Sequence, residues 1–222
     1  MAAINNICNH FLIAKFKNCN DSRSFQLTAA KELFIVEGKS AASTVQQAMH
    51  KLTQKVIALQ GKLINAAKAS SAKVLANQEC QKLFQALDCG IGSDCDPKHL
   101  AFSRVIILSD PDIDGAHARA LILILFDQYL RALIDGGLVY TIASPLYRIS
   151  GIQGVSKQYI WSQSELDILL SKNEGQYNIA ITRFKGIAQL SSNECSQLLI
   201  DPTTRNSLRI GNKNTLKLTD AN

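Results

Sequence analysis

The chain has 222 residues and a mass of 24.3 kDa, with 46% hydrophobic and 19% charged residues. That is enough for one large or two small globular domains, and too apolar for long disorder. Its strongest apolar run, residues 120–126, is far too short to cross a bilayer, so no membrane partner is expected. The formal net charge is +6, and the excess lies in residues 1–80, with ten basic and four acidic residues against fourteen of each in residues 81–222.

Residues 1–30 read as an irregular N-terminal segment. Asn5, Asn6, Asn9, Asn18 and Asn20 punctuate a weak apolar pattern, and asparagine favours turns. The apolar patch at residues 11–14 is too short for the core of a secretory signal. Cys8, Cys19, Cys80, Cys89, Cys95 and Cys195 form no CxxC pair and no zinc-like spacing. Free thiols in a reducing compartment are therefore expected.

Residues 31–150 predict the core of the fold. Leu33-Phe34-Ile35-Val36 is a continuous apolar run, the pattern of a strand buried on both faces, and Glu37-Gly38 ends it. A helix is predicted over residues 40–49 with Ser40 as N-cap, then a short apolar run at 56–59 closed by Gly61. From Lys39 to Lys73 there are six lysines and no acid. A polyanion partner and a solvated helix face both explain such a stretch, and charge alone leaves the two open. Residues 77–88 read as an amphipathic helix ended at Cys89-Gly90. Val105-Ile106-Ile107-Leu108 is a second buried strand, running into Ser109-Asp110-Pro111-Asp112-Ile113-Asp114-Gly115. A helix over residues 116–134, apolar on every side, is expected to be sandwiched in the core. Gly136-Gly137 stop it, and residues 138–142 make a third strand. Residues 147–150 and 158–161 suggest a hairpin, and helices are predicted near 163–172 and 191–200. Residues 151–222 would then form a small C-terminal α+β extension. The alternation of strand and helix implies an α/β fold, a mostly parallel sheet covered by helices.

The acids fall at the ends of these strands. Ligands of open parallel sheets bind outside the carboxyl ends of the strands, where Glu37 and the triplet Asp110, Asp112, Asp114 are expected. Alternating positions of an extended segment point to one side, so the triplet would gather three carboxylates that repel without a cation. Short oxygen ligands suit Mg²⁺, or Mn²⁺, which is satisfied by one or two carboxylates plus phosphate and water. No basic residue adjoins the triplet, and Gly115 is expected to let the backbone turn into the helix. An EF-hand loop also begins D-x-D-x-D-G, but its twelfth position counted from Asp110 is Leu121 where a glutamate is required, which excludes it. Helix capping alone is a second alternative, but three aspartates are more than a cap needs; in a third, Asp114 alone is the cap and Asp110 and Asp112 are left for chemistry.

Taken together, these segments resemble a known family. Val36-Glu37-Gly38-Lys39-Ser40-Ala41 resembles the E-G-D-S-A signature of the Toprim domain in bacterial type IIA topoisomerases. Ser109 to Ala116 with His117 and Arg119 resembles the D-x-D-x-D-G-x-H-x-R segment of gyrase B and topoisomerase IV B subunits. Leu59-Gln60-Gly61-Lys62-Leu63-Ile64-Asn65-Ala66-Ala67-Lys68 resembles their L-K-G-K-I-L-N-V-x-K segment. Cys89-Gly90-Ile91-Gly92, Ser144-Pro145-Leu146-Tyr147-Arg148, Arg183-Phe184-Lys185-Gly186 and Asp201-Pro202 with Leu208-Arg209-Ile210 follow in the same order.

The resemblance implies a Rossmann-like Toprim fold and a DNA cleavage–religation site. Glu37, Asp110 and Asp112 would be its catalytic acids and, with Asp114, its Mg²⁺ or Mn²⁺ ligands. Glu37 would serve as general acid–base, and Lys62, Lys68, His117, Arg119 and Lys185 would face double-stranded DNA. The attacking tyrosine would come from a gyrase A-like partner. Tyr129, Tyr140 and Tyr147 fall in segments where packing is the ordinary role, and Tyr159 and Tyr177 have no arginine nearby in sequence to steady a phosphotyrosyl group. No ATP site is expected on this chain, a separate ATPase chain is one candidate source and the sequence does not name it, and the location implied is cytoplasmic and nucleoid-associated ahead of an organelle. Lys39 replaces the usual aspartate, Ala42 and Ser43 replace small glycines, Gln60 replaces a lysine, and Ala188-Gln189 replaces a G-E pair. Three functions follow in order: a stand-alone or split topoisomerase subunit, a non-catalytic module that modulates a gyrase A-like partner or DNA, and a metal-dependent nuclease.

Overall fold

The computed structural model describes residues 31–152, 157–173 and 179–211. The N-terminal segment, Cys8, Cys19 and Tyr177 lie outside the described residues. Strand β1 (Glu32–Glu37) is an interior strand of the main sheet, and its apolar residues Leu33, Phe34, Ile35 and Val36 are at most 3% exposed. It is followed by helix α1 (Lys39–Ala48) and strand β2 (Gln54–Leu59). Helices α2 (Ser71–Ala76) and α3 (Gln78–Leu87) lead to strand β3 (Arg104–Ser109). Helices α4 (Ile113–Tyr129) and α5 (Arg131–Asp135) lead to strand β4 (Val139–Ala143). β2, β1, β3 and β4 lie side by side and parallel, with Phe34 level with Val56 on one side and Ile106 on the other.

Both faces of this sheet are covered, as continuous apolar strands require. Alternation sends Leu33, Ile35, Val105 and Ile107 to one face, where they meet Leu83 and Leu87 of α3 and Leu125 and Phe126 of α4. Phe34, Val36, Ile106 and Leu108 face the other way, toward Ala41 and Val45 of α1 and Phe184, Ile187 and Leu199 from the C-terminal part. The second sheet is antiparallel, with β5 (Tyr147–Ser150) between β6 (Gln158–Ile160) and β7 (Ala180–Arg183). Helix α6 (Gln163–Lys172) adds Leu166 to its small core of Tyr147, Ile149 and Ile160. Helix α7 (Ser192–Cys195) opens with a Ser191–Glu194 capping box and runs into a π turn, Ser196–Ile200. Strand β8 (Leu208–Arg209) returns to the main sheet, antiparallel to β4.

The α/β fold and the parallel sheet are as predicted, and several boundaries differ. The long helix starts at Ile113, because Asp112 caps it, and breaks at Leu130, whose backbone leaves the helical region (φ −131°, ψ 29°). That break keeps both Leu130 and Leu133 fully buried. α2, β7 and β8 carry too little periodic pattern to be foreseen, and the two strands are held by pairing across the sheets. The four described cysteines are free and buried, with Cys89 and Cys95 Sγ atoms 3.9 Å apart.

One buried charge pair binds the C-terminal part to β1. Arg205 donates two bonds to the Glu32 carboxylate, one at 2.8 Å, and Gln54 Nε2 adds a third at 3.0 Å. Burial works against ionising Glu32, but Arg205, Gln54 and Arg104 more than offset it and hold the carboxyl below its ordinary range.

Candidate metal and nucleic-acid site

Glu37 is the last residue of β1 and Asp110 follows β3 directly. The two strands are neighbours, with Val36 level with Leu108, so register alone brings these acids to one end of the sheet. Both are half-buried. Burial pushes the Glu37 carboxyl up, and repulsion from Asp110, Asp114 and Asp112 adds to it, while Lys62 offsets a part. Burial also pushes Asp110 up, against the Ile187 N–H that favours its charged form.

The triplet is not an extended run of converging carboxylates. Asp112 is the N-cap of α4, its Oδ1 accepting from Gly115 N–H at 2.8 Å, so Asp112 and not Asp114 caps the helix. Asp114 lies inside the first turn, exposed, and Lys62 Nζ reaches its Oδ1 at 2.7 Å. A basic partner therefore does adjoin the triplet, supplied from the segment after β2. Lys62 holds the Asp114 carboxyl below its ordinary range. Gly115 has an ordinary helical backbone and serves close approach: a Cβ there would come within 2.4 Å of the Asp110 carbonyl oxygen. Among the described residues, no three His, Cys, Asp or Glu side chains stand close enough to chelate an ion by themselves. The donor set fits a hydrated Mg²⁺ or Mn²⁺ all the same. Glu37 and Asp110 offer hard carboxylate oxygens whose charged form is disfavoured by burial, and such ions need only one or two carboxylates.

Of the basic candidates, Lys62, Arg119 and the turn that carries Lys185 lie at this end, whereas Lys68 adjoins Ala67, which lines a cavity with Leu123, Asp127 and Arg131 along α4 and α5. Lys62, Lys68, His117 and Lys185 are exposed, and Arg119 is half-buried with Nη1 on Ser109 Oγ at 3.1 Å, beside the end of β3. Lys39 is the exposed first residue of α1, and Gln60 follows β2, its N–H bonded to Glu79. Ala42 is buried under the sheet while Ser43 is exposed. Gln189 Oε1 accepts the Lys185 N–H at 2.6 Å, closing a tight turn at Gly186 with a neutral side chain where the resembled family has glutamate. Trp161, 42% exposed, bonds the carbonyl of Ala143 at the end of β4. Tyr159 stands beside Arg148 after all, since the two are paired across β5 and β6. Both donate to Glu194 Oε1 at 2.8 Å, and burial with that carboxylate pushes the Tyr159 hydroxyl up to about 12. Sequence spacing could not reveal Lys62–Asp114 or Ile187–Asp110, because both pairs are closed by the fold.

This chain belongs to the Toprim domain family, whose pattern matches residues 32–142. It is 39% identical over 179 residues to the DNA gyrase B protein of Thermotoga maritima, covering 81% of this chain and 28% of that protein. It is 36% identical over 180 residues to the DNA gyrase B protein of Metamycoplasma hominis, again 81% and 28%. With the gyrase B protein of Halalkalibacterium halodurans the identity is 36% over 186 residues, 84% of this chain and 29% of the relative. The chain thus spans less than a third of the length of the curated relatives it matches. No helix of the described residues is long and apolar enough to cross a membrane.

Proposed function

We propose that this chain is the metal-binding module of a type IIA DNA topoisomerase, acting on double-stranded DNA together with a gyrase A-like subunit. The observation that carries the reading is the meeting of Glu37 and Asp110 at the ends of adjacent parallel strands, with Asp112 at the helix start beside them. Glu37 and Asp110 would hold Mg²⁺ or Mn²⁺ with water and phosphate completing its shell, Asp112 would join them by moving in from its capping position, and Asp114 would be available once Lys62 releases it. When bound, the ion would stabilise charge on the transferring phosphoryl group and the leaving oxygen. The chain's own residues do the rest. The Asp110 carboxylate is held by the Ile187 N–H, Glu37 offers a carboxyl for proton transfer, and Lys62, Lys68, His117, Arg119 and Lys185 meet the DNA phosphates. Transesterification needs a nucleophile, which the partner's tyrosine supplies. An ATP-binding chain would drive strand passage, in the cytoplasm and at the nucleoid.

The test is a cleavage assay on supercoiled plasmid with Mg²⁺, quenched with detergent, with and without a gyrase A-like subunit. Cleavage with a covalent adduct only when the partner is present is the expected result. An adduct without the partner would overturn the reading, and nicking without an adduct would favour a metal-dependent nuclease. Lys39, two residues after Glu37 in the sequence, and the neutral Gln189 favour a second reading, a non-catalytic module that binds partner or DNA, which predicts binding without cleavage.

A further inference from the structure

Asp110 is gripped from two sides by segments far apart in the chain. On the helix side, Gly115 faces its backbone so closely that a Cβ would lie 2.4 Å from the Asp110 carbonyl oxygen and 2.8 Å from its nitrogen. On the other side, the turn after β7 lies directly against the carboxylate. A Cβ on Gly186 would come 2.7 Å from Oδ2, 2.9 Å from Cγ and 3.0 Å from Oδ1. The next residue, Ile187, donates its N–H to Oδ1 at 2.8 Å.

The turn itself is firmly seated. Phe184 and Ile187 are 3% and 1% exposed and pack in the core between the main sheet and the C-terminal part. Phe184 N–H bonds the carbonyl of Leu146, and Gln189 closes the turn through the Lys185 N–H. Arg148, anchored on buried Glu194, lies over the Phe184 ring. The turn therefore cannot withdraw without breaking apolar packing, and a β-carbon at Gly186 must displace the carboxylate instead. A carboxylate in contact with a glycine and fixed by a peptide N–H keeps one orientation, which is what a metal ligand requires for preorganisation.

We infer that Gly186 and the Ile187 N–H are positioning residues for Asp110: they set the orientation in which this carboxylate receives a divalent cation. The inference rests on the metal reading of the same site proposed above. The Ala188-Gln189 departure leaves the grip intact, because the gripping groups are a glycine and a peptide N–H and Gln189 Oε1 still closes the turn.

Two measurements test it on the full chain. The first is Mn²⁺ binding, followed by loss of the free-ion electron paramagnetic resonance signal, for the unsubstituted chain, Gly186→Ala and Asp110→Asn. Outer partners of metal ligands typically alter affinity by about 10–100-fold, so Gly186→Ala should weaken Mn²⁺ by about 10-fold or more with an unchanged circular dichroism spectrum. Equal Mn²⁺ affinity in Gly186→Ala and the unsubstituted chain would overturn the inference and leave the metal reading standing. Failure of the unsubstituted chain to bind Mn²⁺ would overturn both. The second measurement serves if Gly186→Ala does not fold: amide hydrogen exchange at Ile187 in the unsubstituted chain and in Asp110→Ala. Faster exchange at Ile187 in Asp110→Ala, with neighbouring core amides unchanged, is expected, and identical protection would overturn the grip.

Discussion

Lys62 Nζ lies 2.7 Å from Asp114 Oδ1, an exposed ion pair joining the loop after β2 to the first turn of α4. It places one lysine of the acid-free stretch directly at the carboxylates. Two charged candidates for different partners, DNA phosphate and metal, thus neutralise each other. Either ligand would have to compete with the pair, so binding of one should help the other.

That relationship makes a salt-dependent prediction. Exposed pairs contribute little to stability, so Lys62→Ala should leave the melting temperature nearly unchanged. If Lys62 also meets a phosphate, the logarithmic salt slope of duplex binding should fall by about one unit. Fluorescence anisotropy over a salt series measures it, and an unchanged slope would place the contact elsewhere.

Asp112 should separate capping from metal binding. Asparagine caps helices as well as aspartate, so Asp112→Asn should keep the stability of the protein. Asp112→Ala loses the bond to Gly115 N–H and should cost about 1 kcal/mol. Both should weaken Mg²⁺ in calorimetry. Loss of metal in Asp112→Ala only would mean that capping, not charge, was responsible.

The raised carboxyls of Glu37 and Asp110 make a prediction about pH. Both groups bind protons more tightly folded than unfolded, so the metal-free protein loses stability as pH rises from their ordinary values, 4.5 and 3.8, through the raised ones. Glu37→Gln or Asp110→Asn removes that loss. Each variant should melt above the unsubstituted protein at pH 7, at about 2–4 °C per kcal/mol gained for a chain of this size. The gap should close below those ordinary values. Saturating Mg²⁺ should also narrow it, by stabilising the unsubstituted protein alone. A gap that stays constant across pH would show that neither carboxyl is raised by the fold.

Glu194 should behave in the opposite sense. Burial opposes its ionisation, but Arg148, Ser191 and Tyr159 override that and hold it down, from 4.5 to about 2. Its stabilisation is present above 4.5 and is lost as pH falls toward 2. Glu194→Ala strands Arg148 and the Tyr159 hydroxyl and should cost roughly 3 kcal/mol at neutral pH, the scale for breaking a buried pair. Thermal melts across the acid range check both statements. A Glu194→Ala variant as stable as its parent would rule out this anchor for the turn that carries Gly186.

What could be read from the chain by itself was whatever local periodicity and chemistry encode. The apolar runs of β1 and β3 and the turn signals after them announced buried parallel strands, and Glu37 and Asp110 were placed at strand ends by their position immediately after those runs. β1 and β3 pair in register, so those two acids meet. The roles within the triplet were not legible. Extended alternation predicted one face for Asp110, Asp112 and Asp114, but the helix begins inside the motif, which turns Asp112 into a cap and sends Asp114 to Lys62. Nor could the chain announce the grip on Asp110 by Gly186 and Ile187, or the Arg205–Glu32 pair across 173 residues. Such contacts depend on where the C-terminal part packs, and that is decided by apolar burial of Phe184, Ile187 and Leu199 against the sheet. Burial is non-directional and sums over the whole core, so only the folded chain determines which distant backbone N–H arrives beside which carboxylate.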